Sequence, residues 1–274
     1  MDQVGGVDYR EYADVARVVG AIAECVEPDR IMLVGARCRN ILHGREFGSP
    51  AVLRRTSDTD LAIAIEDWAV FDRLHERFGT GSSAWQRMMV SGIPTDIVPF
   101  GPIERPPGWI GRTAGDIELN VHGFADVFRA AEQLYIDENL MIRLPTPSGY
   151  AVLKTHSWLD RIRKFEYKDA PDLALCVHWY ANRVDRLWGE AFWAMEEHNF
   201  NTHTAAAAVL GRDMGQLLSR DELMQLCSRL GSMDTGLLAN HFDVDASDWP
   251  DGAGRLATVE ALFGELVRCK DSAR

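Results

Sequence analysis

The sequence has no long apolar run and few cysteines, and each shortage excludes a class of protein. No stretch of about 18 apolar residues is present, so no transmembrane helix is predicted. The N-terminus, MDQVGGVDYREYADV, lacks the basic and apolar regions of a signal peptide, so we expect a cytoplasmic protein without a membrane partner. The five cysteines are scattered and odd in number, which predicts neither a disulfide framework nor a zinc site.

Basic residues are also in short supply. Lysine and arginine together number 29 against 41 aspartates and glutamates, which gives a net charge of −12 at pH 7. Nonspecific nucleic-acid binding depends on cations that neutralise phosphates, so this balance argues against a general nucleic-acid coat protein. Two local basic clusters remain, and a charge distribution of this kind can form a basic groove on an acidic protein. They consist of Arg37, Arg39, Arg45, Arg54 and Arg55, and of Arg161, Arg163, Lys164 and Lys168.

Two carboxylates one residue apart open an apolar run, SDTDLAIAI (57–65), that is typical of a β-strand. Side chains alternate along a strand, so Asp58 and Asp60 are predicted to point to one face, with Cα atoms roughly 6.6 Å apart. This spacing suits divalent metal ions, which in pairs activate an attacking oxygen and neutralise a leaving phosphate. A lone pair of this kind is more often a solvated turn, so further evidence is needed.

The flanking segments supply that evidence. IMLV (31–34) predicts a buried strand, Gly35-Ala36 a turn, and residues 37–43 the start of a helix whose free N–H groups favour anions. A second apolar strand, IPTDIVPFG (93–101), carries Asp96 in its middle. An unpaired charge is costly to bury, so Asp96 is predicted to join the first two aspartates in an oxygen-rich Mg²⁺ site. The alternative is a surface residue on an edge strand.

The joint pattern resembles the DNA polymerase β-like minimal nucleotidyltransferases, and more closely the AbiEii/MenT group of toxin-like enzymes. VGAR and RRTSDTDLAIAI are similar to the G[GS] and DxD motifs of that family, and PSGYAVLKTHSWLDRIRKFEYKDAPDLAL (147–175) is similar to its second half. Ala36 stands where the family usually has Gly or Ser, so a hydroxyl that contacts phosphate is missing. By position, the resemblance implies a turn glycine, two metal ligands, a helix lysine and two candidates for a later catalytic aspartate: Gly35, Asp58 with Asp60, Lys154, and Asp169 with Asp172.

The residues of the second half allow more than one interpretation. Thr146 before Pro147 predicts an N-cap, and the apolar spacing that follows predicts a helix. Lys154 adjoins the apolar face of this helix, where its ammonium either pairs with a nucleotide phosphate or snorkels to solvent. Asp169 and Asp172 lie near the start of the next predicted helix. They either cap it, or one of them accepts a proton or positions Lys154.

These arguments give four sets of predicted site residues. The metal ligands, for two Mg²⁺ ions with Mn²⁺ as an alternative, are Asp58, Asp60 and Asp96. The nucleotide-binding residues are Gly35, Ala36, Arg37, Arg55, Thr56 and Lys154, and the catalytic residues are Asp58, Asp60, Lys154, Asp169 and Asp172. The residues predicted to bind RNA are Arg39, Arg161, Arg163 and Lys164.

The predicted fold is α/β. Residues 1–145 are expected to form a nucleotidyltransferase domain, a mixed sheet flanked by helices, and residues 146–274 a predominantly helical domain that completes the cleft. The Gly- and Pro-rich segment 101–122 is expected to be a long loop. Other predicted elements are helices over 9–27, 69–78, 220–230 and 254–269, a hairpin of 85–90 with 94–100, and a second hairpin within 132–145.

Three functions follow from these expectations. The first is an Mg²⁺-dependent enzyme that moves a nucleoside monophosphate from an NTP to an RNA hydroxyl. The resemblance implies a tRNA 3′ end as the acceptor, a toxin of a toxin–antitoxin system, and a cognate antitoxin as partner. The second is the same transfer to a small molecule of the aminoglycoside type or to a protein hydroxyl, because neither the fold nor the DxD motif fixes the acceptor. The third is a non-catalytic nucleotide-binding regulatory module.

Overall fold

The computed structural model describes residues 12–48, 57–82, 84–112 and 117–272, which form two compact units. The first unit contains the described residues up to Asn40, those between 57 and Val121, and Ala131–Pro145. The second contains residues 41–48, His122–Ala130 and 146–272. The last boundary therefore falls after Pro145, where the sequence predicted it, while residues 41–48 and 122–130 group with the helical unit.

A six-stranded mixed sheet forms the centre of the first unit and confirms the predicted α/β class. The strands are β1 (Ile31–Val34), β2 (Thr59–Ala64), β3 (Arg87–Val90), β4 (Ile93–Phe100), β7 (Glu132–Asp137) and β8 (Leu140–Leu144). Their order in the sheet is β3-β4-β2-β1-β8-β7, in which β2 runs antiparallel to β1 and parallel to β4. All four residues of β1 are buried, as expected for an apolar run at the centre of a sheet.

The helices α1 (Ala13–Ile22) and α3 (Trp68–Phe78) each bury one apolar stripe. In α1 the stripe consists of Val15, Val18, Val19 and Ile22, and the helix packs against β3, β4 and β7. The third helix, α3, buries Phe71 and Leu74 and begins at Asp67, whose side chain accepts a hydrogen bond from the Ala69 N–H. Between them, α2 (Gly35–Phe47) follows β1 directly.

The turns of the sheet follow from their residues. Ser91 and Gly92 join β3 to β4 with φ angles of 50° and 77°, and two positive φ angles define the type I′ turn that two-residue hairpins prefer. Both predicted hairpins, β3 with β4 and β7 with β8, are confirmed. Segment 101–122 is not a simple loop, because β5 (Trp109–Ile110) pairs with β6 (Leu119–Asn120) inside it.

The second unit is helical in the part that the structure describes. Thr146 caps α5 as predicted, since its hydroxyl accepts a hydrogen bond from the Gly149 N–H at 3.1 Å. A 3₁₀ turn, Ile162–Lys164, follows α5 directly. The helices are α4 (Phe124–Ala130), α5 (Pro147–Arg161), α6 (Asp169–Asn182), α7 (Val184–Trp188), α8 (Phe192–Glu197), α9 (Thr202–Leu217), α10 (Arg220–Leu230), α11 (Thr235–His241) and α12 (Gly252–Ser272). No described helix combines the length and the apolar character that a membrane crossing requires.

Small residues allow α9 and α12 to approach closely. Ala205–Ala208 are fully buried, and Gly211 faces the backbone of α12, where an added Cβ would lie 2.1 Å from the Leu262 carbonyl oxygen. An added Cβ at Gly215 would lie 2.6 Å from the Cys269 Cβ. The packing of this helix pair therefore depends on the absence of side chains at two positions of α9.

This packing predicts opposite effects for two glycine-to-alanine changes. Gly211→Ala should lower the free energy of unfolding by about 1–3 kcal/mol, because the methyl group meets backbone that cannot rotate away. Gly264→Ala, on α12 with no atom within 4 Å of the added Cβ, should raise it by up to about 1 kcal/mol through helix propensity. Urea unfolding of both variants measures the difference, and equal effects would contradict the close approach.

Candidate active site

Three aspartates lie on one face of the sheet in the first unit. Asp60 on β2 is the register partner of Asp96 on β4, and Asp58 lies immediately before β2. All three are partly exposed, whereas the intervening Thr59 and Thr95 are fully buried on the opposite face. The burial of Asp58, Thr59 and Asp60 alternates as the same-face prediction requires, and the parallel ladder brings Asp96 beside Asp60.

Gly35 leaves the space that the Asp60 carboxylate occupies. Its φ angle is +66°, a value that glycine adopts without strain, and an added Cβ would lie only 1.9 Å from Asp60 Oδ2. Val34, the residue before it, is the register partner of Asp60. The N-terminal end of α2 therefore begins against the carboxylate. An anion bound there would meet the free N–H groups of the first turn.

Arg87 is a member of this site that the sequence analysis missed. It is the cross-strand partner of Asp96, and its guanidinium donates two hydrogen bonds of 2.9 Å to the two carboxylate oxygens. The hydrogen bond and charge of Asp96 raise the pKa of Arg87, with smaller contributions from Asp58 and Asp60. The two-residue Ser91-Gly92 turn fixes this register, so counting back from the turn would have identified the pair.

Arginines of the predicted nucleotide and RNA sets have different surroundings. Arg37 donates from Nε to the Asp58 carbonyl oxygen at 3.2 Å and pairs with Asp14, so it holds the residue before β2 in place. Arg39 is only 5% exposed and donates to the Asn40 side chain. The prediction that Arg39 grips RNA is therefore wrong, because a buried guanidinium cannot meet a phosphate backbone. Arg55 and Thr56 lie outside the described residues.

The chemistry of the carboxylates fits a hard divalent cation. Mg²⁺ prefers oxygen ligands, and Asp58 and Asp60 supply carboxylate oxygens near the N-terminal end of α2. Each oxygen of Asp96 accepts one hydrogen bond from Arg87 and keeps a second lone pair that a cation could use. No set of three His, Cys, Asp or Glu side chains in the described segments is arranged to hold a metal.

A second cluster, in the helical unit, surrounds Lys154. Its ammonium lies 2.6 Å from Asp172 Oδ2 and 3.1 Å from Asp169 Oδ1, and Tyr150 donates to Asp172 at 3.3 Å. Asp169 also accepts two hydrogen bonds from Arg161, at 2.9 and 2.7 Å. Burial alone would lower the pKa of Lys154, but the charges of Asp172 and Asp169 outweigh it and raise that pKa.

This geometry selects among the alternatives that the sequence left open. Lys154 does not snorkel into water, because both of its partners are buried carboxylates. Neither aspartate is the N-cap of α6, which is Lys168 without a side-chain capping hydrogen bond, but both lie in the first turn, where the helix dipole favours negative charge. Both aspartates also position Lys154. Arg161 is held by Asp169, whereas Arg163 and Lys164 are exposed.

No protein-family model and no curated protein matches this chain. The resemblance to the minimal nucleotidyltransferases therefore depends on the motifs and on the geometry of the residues that carry them.

The Lys154 cluster predicts a strong coupling between Lys154 and Asp172. Lys154→Met should lower the free energy of unfolding by about 3–5 kcal/mol, because it leaves buried carboxylate charge unpaired. Adding Asp172→Asn should recover part of this loss, since the second change removes the orphaned charge. Urea unfolding of the two single variants and the double variant measures the coupling, and additive losses would contradict it.

The raised pKa of Lys154 also predicts the pH dependence of that loss. Because the folded-state pKa lies above the ordinary value of 10.5, the stabilisation is fully present below about pH 10.5 and disappears as the pH rises through the folded-state pKa. The stability difference between wild type and Lys154→Met should therefore shrink in strongly alkaline buffer. A constant difference from pH 8 to well above 10.5 would argue against a charged Lys154.

Proposed function

We propose that the protein is an Mg²⁺-dependent nucleotidyltransferase that moves a nucleoside monophosphate from an NTP to an RNA hydroxyl. The observation that carries the proposal is the alignment of Asp60 with Asp96 beside Asp58, at the point where Gly35 begins α2 against the Asp60 carboxylate. A binding protein has no evident need for carboxylates crowded beside a helix end that favours phosphate, since like charges repel. The motif resemblance adds a tRNA 3′ end as acceptor and a toxin role with a cognate antitoxin.

The reaction forms a bond between the acceptor oxygen and the α-phosphorus, and it breaks the bond from that phosphorus to pyrophosphate. Asp58 and Asp60 would hold Mg²⁺, which when bound neutralises phosphate charge and favours the attacking oxygen. The first turn of α2 would orient the triphosphate through its N–H groups. Catalysis of this kind consists mostly of positioning and electrostatic stabilisation.

The hydroxyl proton must pass to a base or to solvent water. The two aspartates of the Lys154 cluster differ in their surroundings, because Asp169 is fully buried and accepts hydrogen bonds from both Lys154 and Arg161. Asp172 retains some exposure and is oriented by Lys154 and Tyr150. We therefore assign Asp169 the positioning of Lys154 and Arg161, and Asp172 the positioning of Lys154.

Removal of one metal ligand gives the first test of the proposal. Asp60→Asn should reduce transfer of labelled NMP to total RNA by at least about 100-fold, since the neutral amide is a weaker Mg²⁺ ligand of the same size. Each NTP is incubated with the protein, Mg²⁺ and total RNA. Asp29→Asn is the matched control, because it removes the same charge from an exposed aspartate near the other end of β1.

Transfer at the wild-type rate by folded Asp60→Asn would refute the carboxylate site. Labelling of a protein or an aminoglycoside without an RNA signal would keep the nucleotidyltransferase assignment and reject RNA as the acceptor. NTP binding without any transfer would favour the non-catalytic module.

The exposed cations of the second unit test the choice of acceptor. Arg163→Ala combined with Lys164→Ala should weaken RNA labelling and flatten its salt dependence by about one unit of slope per lost phosphate contact. Arg161 is left unchanged because it pairs with Asp169. The control, Arg73→Ala with Arg220→Ala, removes two exposed arginines elsewhere and should leave the slope as in wild type. An unchanged slope in the first variant would refute this contact.

A further inference from the structure

Phe165 occupies a backbone conformation that aromatic residues rarely adopt. It ends the 3₁₀ turn Ile162–Lys164 with φ 58° and ψ 32°, in the left-handed region. Two backbone hydrogen bonds fix the turn, from Phe165 N–H to the Ile162 oxygen at 3.1 Å and from Glu166 N–H to the Arg161 oxygen at 3.2 Å. Glycine or asparagine is the usual residue at such a position, because a larger L side chain is strained there.

The Phe165 ring gains little burial from the described residues in return. Phe165 is 79% exposed, the highest value among the exposed large hydrophobic residues that the structure describes. No ring in the described part of the chain contacts it. A strained residue whose side chain is not buried is not compensated by packing, which suggests that the side chain contacts another molecule.

The charge around Phe165 identifies the ligand class. Residues 161–168 contain four cationic side chains and one carboxylate, within a chain of net charge −12. Arg163 and Lys164, directly before the ring, are exposed and form no ion pair with the described residues. An exposed ring beside unpaired cations is the combination that proteins use to stack a base and hold the adjacent phosphates.

Phe200 provides an internal comparison. It has the same left-handed backbone, with φ 61°, and is 55% exposed. Its ring, however, contacts Trp188 and Phe192, with centroids 6.1 and 6.2 Å away, and Glu196 and Glu197 lie close to it in sequence. An acidic setting repels phosphate, so Phe200 does not share the binding chemistry of Phe165.

We propose that Phe165 is a stacking platform for an unpaired RNA base, with Arg163 and Lys164 on the flanking phosphates. The inference rests on the proposed function only in taking RNA as the acceptor. Arg161 begins this turn and pairs with Asp169, which also holds Lys154. A base stacked on Phe165 would therefore lie on the turn that Arg161 connects to the buried Lys154 cluster.

Replacement of the ring by asparagine tests the platform. Phe165→Asn should weaken binding of a fluorescein-labelled single-stranded U-rich RNA of about 12 nucleotides by roughly tenfold or more, as expected for one lost base stack. Its melting temperature should be equal to that of wild type or higher, because asparagine tolerates the left-handed conformation. Fluorescence anisotropy at low salt and thermal unfolding measure the two effects.

Three comparisons complete the experiment. Phe200→Asn should change RNA affinity less than twofold, and Phe165→Trp should bind at least as tightly as wild type. Unchanged affinity in Phe165→Asn, no RNA binding by wild type, or equal binding of an acidic peptide each overturns the platform. Transfer activity that survives in Phe165→Asn with unchanged RNA affinity would refute the platform alone. RNA binding that depends on Phe165, without any transfer by wild type, would refute the proposed chemistry and keep the platform.

Discussion

Carboxylates side by side on a sheet repel one another, and the parallel ladder between β2 and β4 holds Asp60 and Asp96 in that position. Arg87 on the neighbouring strand β3 offsets this repulsion, because its guanidinium donates a hydrogen bond to each oxygen of Asp96. Asp58, Asp60, Asp96 and Arg87 together carry two negative charges more than positive ones. A single divalent cation has the charge that would balance this group, and the helix end at Gly35 favours the phosphate that such a cation accompanies.

The Lys154 cluster in the second unit is neutral overall, whereas the carboxylate group of the first unit is negative. There Asp169 and Asp172 meet Lys154 and Arg161, so two negative and two positive charges balance among the four side chains. Burying an unpaired charge would cost free energy, and each of the four side chains has an opposite charge within the cluster. The group therefore behaves as a fixed polar core. It orients Asp172 and, through the Arg161–Asp169 pair, connects the basic turn at Phe165 to α6, whereas the carboxylates of the first unit keep an excess of negative charge.

Patterns within short segments were sufficient to predict many of the strands and helices. Features that depend on contacts between distant segments were harder to predict. Apolar runs predicted β1, β2 and β4, and Thr146 before Pro147 predicted the start of α5. The sequence predicted that Asp96 joins Asp58 and Asp60, from the cost of burying an unpaired charge, but not the parallel register that aligns Asp60 with Asp96, because no short segment encodes a pairing between distant strands. The sequence also could not predict that Arg39 is buried or that Arg161 pairs with Asp169. The charge of an arginine does not show whether it faces solvent or a buried carboxylate.

The contact between Gly35 and Asp60 also constrains how such a sequence can drift. Every single-base change in the first two positions of a glycine codon introduces a side chain or a stop, and any Cβ at position 35 would overlap the Asp60 carboxylate. Shortening residue 60 would make room but would remove the carboxylate itself. The two positions therefore cannot vary independently while the carboxylate is required.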